Sequence, residues 1–168
     1  RGGPVFTPGG WATRHASTPP SVRRREVHWP TMSDAPLKLP LEIEDIKAIL
    51  PHRSPFLLVD RILELEADRR IVGLKSVTSN ERYFIAGPGG VPTMPASILT
   101  EAMAQAGAVL ILSKPENRSR LVYFMGIDRV RYRRPVVAGD QVILEGEVIR
   151  MRSKMGSLGG RARVDGKV

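Results

Sequence analysis

The chain contains no cysteine among its 168 residues. This absence excludes a disulfide-linked scaffold, a thiolate metal site and a cysteine nucleophile. The three histidines, His15, His28 and His52, are too scattered to indicate a histidine metal site, so we expect no bound metal. Aromatic residues make up 5% of the chain, which leaves few stacking platforms for nucleic-acid bases. The sequence also has no run of about 18 uncharged apolar residues, the length that a membrane-spanning helix needs.

Positive charge is divided unevenly along the chain, whose formal net charge is +9. Residues 1–31 contain five Arg and one Glu, whereas residues 32–168 contain 21 Lys or Arg and 16 Asp or Glu. The second part therefore has a net charge of +5 (21 minus 16). A moderate excess of this kind is better suited to an acidic partner than to DNA.

Residues 1–36 contain six prolines and two glycine pairs and show no hydrophobic period. Because this composition cannot offset the entropy of ordering, we expect a disordered tail followed by one folded domain over residues 37–168. Met32 and Ser33 resemble a natural start, so we interpret the first 31 residues as upstream sequence. The chain ends just after Asp165 and Gly166, a hairpin-turn dipeptide, and we therefore expect the last strand to be missing.

The first part of the domain predicts short elements. Residues 41–50 have the apolar spacing of an amphipathic helix that Pro51 ends. Two apolar and β-branched runs, 56–66 and 70–77, flank a short turn and predict an antiparallel hairpin. Residues 79–94 are rich in Gly and Pro and predict a loop.

Residues 95–114 predict a helix that is apolar on nearly every side, with Pro95 in its first turn. Such a helix is buried. Three long strand candidates follow, over residues 121–134, 140–154 and 158–168. Consecutive strands around one buried helix indicate an α+β architecture, with an antiparallel sheet wrapped around the helix.

Glu101 is the first candidate for chemistry, because it interrupts this apolar helix in its second turn. Burial of a carboxylate without a hydrogen-bond partner favours the protonated form, which a general acid needs. Gln105 lies one helical turn further on and could hold the carboxyl group in place. A capping carboxylate near a helix N-terminus explains the pattern equally well.

The loop before the helix is the second candidate. Gly90 permits close backbone approach to a ligand, and the first N–H groups of the helix, around Ala96, could polarise a carbonyl oxygen. A Gly/Pro loop is nevertheless more often a simple turn. His52 lies between two prolines, where a lone histidine is more often structural than catalytic. Alternate arginines from Arg129 to Arg133 share one face of the predicted strand, which is either a solvated face or a docking patch.

Several segments in order resemble the (3R)-hydroxyacyl-[acyl-carrier-protein] dehydratases of bacterial fatty-acid synthesis. The resemblance extends from about Leu41 to the end of the chain. The matching stretches are LPHRSPFLLVDRILELE (50–66), VPTMPASILTEAMAQAGAVL (91–110), LVYFMGIDRVRYRRPVVAGDQVILE (121–145) and VDGKV (164–168).

The resemblance implies a hot-dog fold, and a homodimer or a trimer of dimers with active sites at the subunit interface. It implies dehydration of (3R)-hydroxyacyl-acyl-carrier-protein to trans-2-enoyl-acyl-carrier-protein, in fatty-acid biosynthesis in the cytoplasm. The implied partner is acyl carrier protein, with neither nucleic acid nor membrane. No cofactor of the enzyme itself is implied, because the substrate is carried on the phosphopantetheine of the carrier.

The family's site residues carry over to positions in this chain. The catalytic carboxylate corresponds to Glu101, which acts as the acid when the C3 hydroxyl departs. The backbone N–H that polarises the thioester carbonyl corresponds to Ala96, where the family has Gly. Gln105 and Gly90 complete the expected substrate-binding residues.

The family's catalytic histidine has no counterpart. The family loop reads Gly-His-Phe-Pro-Gly, whereas residues 86–90 read AGPGG, so the histidine position falls on Gly87. Loss of one positioned acid–base group typically lowers the rate about 10²–10⁴-fold. The explanations are a weakened dehydratase, a substitute such as His52, or an error in the loop sequence. The alternative functions are a hot-dog acyl thioesterase and a catalytically inactive subunit that binds acyl carrier protein.

Overall fold

The computed structural model describes residues 37–118, 120–152 and 155–168. The expected disordered tail, residues 1–36, lies outside these ranges. The described residues form two α-helices, seven strands and two short 3₁₀ helices, Pro88–Gly90 and Pro115–Asn117. In chain order the α-helices and strands are α1 (Ile43–Ile49), β1 (Arg61–Glu66), β2 (Arg70–Ser76), β3 (Ile85–Ala86), β4 (Pro92–Met94), α2 (Ala96–Leu112), β5 (Val136–Val137), β6 (Gln141–Met151) and β7 (Gly156–Arg163).

The strands form two antiparallel sheets. The larger one has the order β1-β2-β6-β7, and the smaller one has the order β3-β4-β5. β1 and β2 form the predicted hairpin, with Asp68 in the left-handed region at its turn (φ 60°). The predicted α+β class is therefore confirmed, although the sheet is divided into two parts.

α2 is the buried helix that the sequence predicts. It packs against β1, β2, β6 and β7, and from Ile98 onward its residues are buried or half-buried. It begins at Ala96, so Pro95 is the N-cap residue and does not belong to the first turn. α1 also matches its prediction, since it ends at Ile49 and buries Ile46 and Ile49 against the core.

Two predictions about segments are wrong. Residues 79–94 contain the paired strands β3 and β4, which are too short to produce a detectable hydrophobic period. Residues 121–134 form no strand, and all of them are exposed. A strand needs a hydrogen-bonded neighbour, and neither edge of the larger sheet, β1 or β7, pairs with this segment. The arginines from Arg129 to Arg133 therefore share no strand face.

The end of the chain forms the predicted turn. The predicted strand over 158–168 is observed as β7, which stops at Arg163. Val164 and Lys167 exchange both backbone hydrogen bonds at 2.9 Å. Asp165 (φ 50°) and Gly166 (φ 73°) lie between them in the left-handed region that a tight hairpin turn requires.

A buried ion pair fixes the chain beyond β2. The Lys75 side chain is 7% exposed, and its Nζ lies 2.7 Å from Oε1 of Glu81 and 3.8 Å from Oδ2 of Asp60. This contact ties β2 to the segment that leads into the loop before α2. Neither α2 nor any other helix of the described ranges is long and apolar enough to cross a membrane.

Candidate active site

Glu101 lies in the second turn of α2 and keeps contact with solvent. Its side chain is 30% exposed, and its Oε1 accepts a 2.9 Å hydrogen bond from Nε2 of Gln105. The sequence suggested a buried carboxylate without a hydrogen-bond partner. In the structure the Glu101 carboxylate is instead partly exposed to solvent and hydrogen-bonded to Gln105. The spacing of one helical turn brings the two side chains together, as predicted.

Gln105 connects α2 to the segment between α1 and β1. It is 1% exposed. Its Oε1 accepts the backbone N–H of Leu58 at 2.8 Å, while Nε2 donates to the carbonyl of Phe56 at 2.8 Å and to Glu101. Because one end must accept from an N–H and the other must donate to two oxygens, the orientation of the amide is fixed. Gln105 thus positions both the carboxylate and residues 56–58.

His52 also lies beside Glu101, a position that the sequence analysis missed. Its Nε2 is 3.6 Å from Oε1 of Glu101, slightly beyond hydrogen-bond length. Its Nδ1 is buried and has no hydrogen-bond partner within the described residues. A histidine between two prolines resembles a structural loop residue, and no local pattern indicates a contact with a residue 49 positions away.

The start of α2 opens on a surface cavity of about 280 Å³. Its lining includes Met94, Ala96, Leu99 and Tyr132, and the Tyr132 hydroxyl lies 2.6 Å from Oγ1 of Thr100. The first N–H groups of a helix have no acceptor within the helix, and among the described residues no side chain caps them at Pro95. The Ala96 N–H is therefore placed where a bound carbonyl could accept it. Sequence reasoning also missed Tyr132.

Gly87 has no room for a side chain. Its backbone is extended (φ −99°), and its N–H donates to the carbonyl of Val91 at 2.9 Å. A Cβ atom at this position would lie 2.3 Å from Cγ2 of Thr93 and 2.7 Å from the Val91 carbonyl oxygen. A histidine at residue 87 would therefore require β4 or the loop to move.

Gly90 lies at the exposed tip of the same loop, in the left-handed region (φ 78°). Within the part of the chain that the structure describes, no hydrogen bond or ion pair connects Gly87 or Gly90 to Glu101. The structure therefore brings together Glu101, Gln105 and His52, and within the described residues neither loop glycine is hydrogen-bonded to any of the three. Nor does the structure gather three His, Asp or Glu side chains into a metal-binding group within the described ranges.

A carboxyl group and an imidazole whose nearest atoms are 3.6 Å apart can each exchange a proton with a ligand that contacts both of them. One group can donate a proton to the ligand while the other accepts a proton from it, provided that the two ligand atoms involved are carried by neighbouring atoms. The Ala96 N–H at the start of the same helix could polarise a carbonyl. The arrangement is suited to proton transfer next to a carbonyl group.

Comparisons with known proteins agree with this chemistry. Residues 50–168 match the model of the FabA-like domain family. The chain is 50% identical over 128 residues to the 3-hydroxyacyl-[acyl-carrier-protein] dehydratase FabZ of Geobacillus sp. (strain WCH70), covering 76% of this chain and 88% of that protein. It is 52% identical over 128 residues to FabZ of Herpetosiphon aurantiacus, covering 76% and 91%.

The fold also matches a solved structure, the dehydratase heterocomplex ApeI:P from Xenorhabdus doucetiae. The TM-score is 0.60 at 19% identity, covering 73% of this chain and 82% of that one. The predicted hot-dog fold and the predicted family are thereby confirmed. The chain belongs to the FabA-like family and, within it, to the 3-hydroxyacyl-[acyl-carrier-protein] dehydratases.

Proposed function

We propose that the chain is a hydro-lyase that converts (3R)-3-hydroxyacyl-acyl-carrier-protein to trans-2-enoyl-acyl-carrier-protein in fatty-acid biosynthesis. In this reaction the C2–H and C3–O bonds break, a C2–C3 double bond forms, and water leaves. The observation that carries the proposal is the placement of Glu101, a half-exposed carboxyl group that the buried Gln105 holds at 2.9 Å. In this role Glu101 donates the proton that the departing hydroxyl needs.

The start of α2 supplies the second part of the proposed site. Developing negative charge on the thioester oxygen is stabilised by a preorganised N–H donor. The Ala96 N–H suits this role because Pro95 brings no capping side chain and Ala96 lines the cavity. A thioester carbonyl bound at Ala96 would lie about 1.4 turns of α2 before the carboxyl group. Gln105 acts as a positioning residue. Gly90 stays a predicted substrate-binding residue.

We further propose acyl carrier protein as the partner, since the substrate is bound to its phosphopantetheine and no other cofactor is needed. The net charge of +5 over residues 32–168 suits an acidic carrier. Arginines in the exposed segment 120–135 account for part of this excess. The compartment would be the one that holds the carrier, the cytoplasm.

The exposed segment 120–135 supports a homo-oligomer, at least a dimer. Large apolar side chains project from it, among them Tyr123 and Met125, which are 78% and 85% exposed. Contiguous exposed apolar surface marks interaction sites. A second copy of the chain is the proposed partner for this surface, and size-exclusion chromatography with light scattering would measure the resulting mass.

The test is to identify the product formed from a (3R)-3-hydroxyacyl-acyl-carrier-protein by the full chain. The proposal expects an enoyl thioester, detected by its absorbance and by a mass loss equal to one water. Release of the free carrier thiol without enoyl product would instead identify a thioesterase. Binding of the carrier without either product would identify a non-catalytic binding subunit, and both results contradict the proposal.

A further inference from the structure

Elimination of water requires two proton-transfer groups, and the loop before α2 supplies neither. A base must take the C2 proton, and an acid must protonate the departing hydroxyl. The loop position that corresponds to the family histidine is Gly87. A Cβ atom there would lie 2.7 Å from a backbone oxygen, that of Val91, which cannot turn aside as a side chain could. The second group must therefore come from another part of the chain.

His52 is the one histidine among the described residues. Its Nε2 is 3.6 Å from Oε1 of Glu101. The C2 hydrogen and the C3 oxygen are carried by neighbouring carbons, so an acid and a base that act on them must also lie a few ångström apart. The imidazole is 28% exposed, similar to the carboxyl group at 30%, so both groups can be reached by a ligand.

The backbone around His52 is held at both ends. Before it, α1 ends at Ile49. Nη1 of Arg53 donates to the carbonyl oxygens of Leu50 and of His52 at 2.8 and 2.7 Å. After it, the amide of Gln105 binds residues 56–58 and Glu101 together. One buried amide thus fixes both the helix carboxylate and the segment that carries the imidazole.

Hydrogen bonding within the fold does not explain why residue 52 is a histidine. A structural histidine normally uses its ring nitrogens to satisfy buried polar groups. Here Nδ1 is buried without a hydrogen-bond partner in the described ranges, and Nε2 faces the Glu101 carboxylate from beyond hydrogen-bond length. The ring packs near Phe56 with centroids 6.2 Å apart, a contact that an apolar side chain could also make.

We propose that His52 is the base of the dehydration, an inference that rests on the proposed dehydratase function. Nε2 of His52 takes the C2 proton, and the electron pair of the broken C2–H bond forms the C2–C3 double bond. The C3–O bond breaks at the same time, and Glu101 gives its proton to the oxygen, which leaves as water.

The same geometry resets the site. After one turnover His52 carries an added proton and Glu101 is an anion. The two atoms involved, Nε2 and Oε1, are 3.6 Å apart, so a small movement brings them within hydrogen-bond length and returns the proton to Glu101. No oxidant, reductant or metal is required, and all atoms are accounted for by substrate, enoyl product and water.

The test uses the full chain with His52→Ala and His52→Gln, and follows enoyl formation from the 3-hydroxyacyl carrier-protein substrate. Gln carries its Nε2 near the position of the imidazole Nε2 and can donate to Glu101, but it cannot act as a base. We expect kcat/KM to fall about 10²–10⁴-fold in both variants. Added imidazole should restore part of the activity of His52→Ala, with the rescue rising with pH as neutral imidazole increases.

Three outcomes are distinct. If the unaltered chain forms no enoyl product, the proposed function itself fails. If it does form product and His52→Ala or His52→Gln stays within a few-fold of its rate, the dehydratase function stands and His52 is not the base. If both variants lose activity but imidazole restores none to a folded His52→Ala, the role as base is overturned in favour of a structural one.

A folding defect is separated from a catalytic one by thermal unfolding and by a substrate deuterated at C2. Should His52→Ala fail to fold, His52→Gln carries the test, because its amide preserves a polar contact with Glu101. A folded His52→Gln with residual activity should show a larger C2 deuterium isotope effect than the unaltered chain, since proton abstraction becomes slower. An unchanged isotope effect would contradict the proposal.

Discussion

The substitution Gln105→Leu removes the contacts that organise the site while it nearly preserves side-chain volume. It leaves the N–H of Leu58 buried without its acceptor, which costs about 1–3 kcal/mol. The lost bond to Glu101 adds about 1 kcal/mol, at the low end because the carboxylate is half-exposed. The total is about 2–4 kcal/mol, compared with about 5–15 kcal/mol for the stability of a typical domain. We therefore expect a folded but weakened protein.

Thermal and denaturant unfolding measure this change. At about 2–4 °C per kcal/mol for a chain of this size, the melting temperature should fall by roughly 5–15 °C. Enoyl formation should fall about 10–100-fold, because Glu101 loses its fixed position. Asn117→Leu is the matched control, since its amide donates a 2.9 Å hydrogen bond to the carbonyl of Ile111 at the other end of α2. A Gln105→Leu protein as stable as the Asn117→Leu control would refute this account of Gln105.

Three further predictions concern the loop before α2, the buried ion pair of Lys75 and the exposed segment 120–135. Gly87→His should destabilise the loop and should not raise enoyl formation above that of the unaltered chain, whereas Gly126→Ala, where a Cβ meets open space, should be neutral in melting temperature. Lys75→Met should lower the free energy of unfolding by about 3–5 kcal/mol in urea titrations. The reason is that the Glu81 carboxylate, only 12% exposed, loses the ammonium group with which it is paired. The matched surface substitution Lys47→Met should cost under about 1 kcal/mol. Met125→Ser should shift light-scattering mass toward the monomer, and an unchanged mass would contradict the proposed interface.

Residue patterns predicted those elements whose type depends mainly on the sequence of the segment itself. α1 follows from apolar spacing ended by a proline, the β1–β2 hairpin from two runs around a short turn, and α2 from its apolar sides. The segment 121–134 shows the limit of this reasoning. It has the composition of a strand, but strand formation depends on a pairing neighbour that the described chain does not supply.

The site was predictable only in part for the same reason. The Glu101–Gln105 contact follows from helical spacing, which is local. The approach of His52 depends on how residues 50–58 fold back over α2, and no periodicity encodes that. Likewise, the motif comparison identifies Gly87 as the position of a missing histidine, but only the packing of Thr93 shows that no side chain fits there.

The most direct test of the central claim compares Glu101→Gln with Glu44→Gln in the formation of enoyl-acyl-carrier-protein. Gln at residue 101 can still accept the bond from Gln105, so the fold is retained while the transferable proton is lost. Glu44 is an exposed carboxylate on α1, paired with Lys47 at 2.7 Å, and it controls for the loss of one negative charge. We expect kcat/KM to fall about 10²–10⁴-fold for Glu101→Gln and to remain unchanged for Glu44→Gln. Full activity in a folded Glu101→Gln protein would contradict the assignment of this carboxylate as the acid of the reaction.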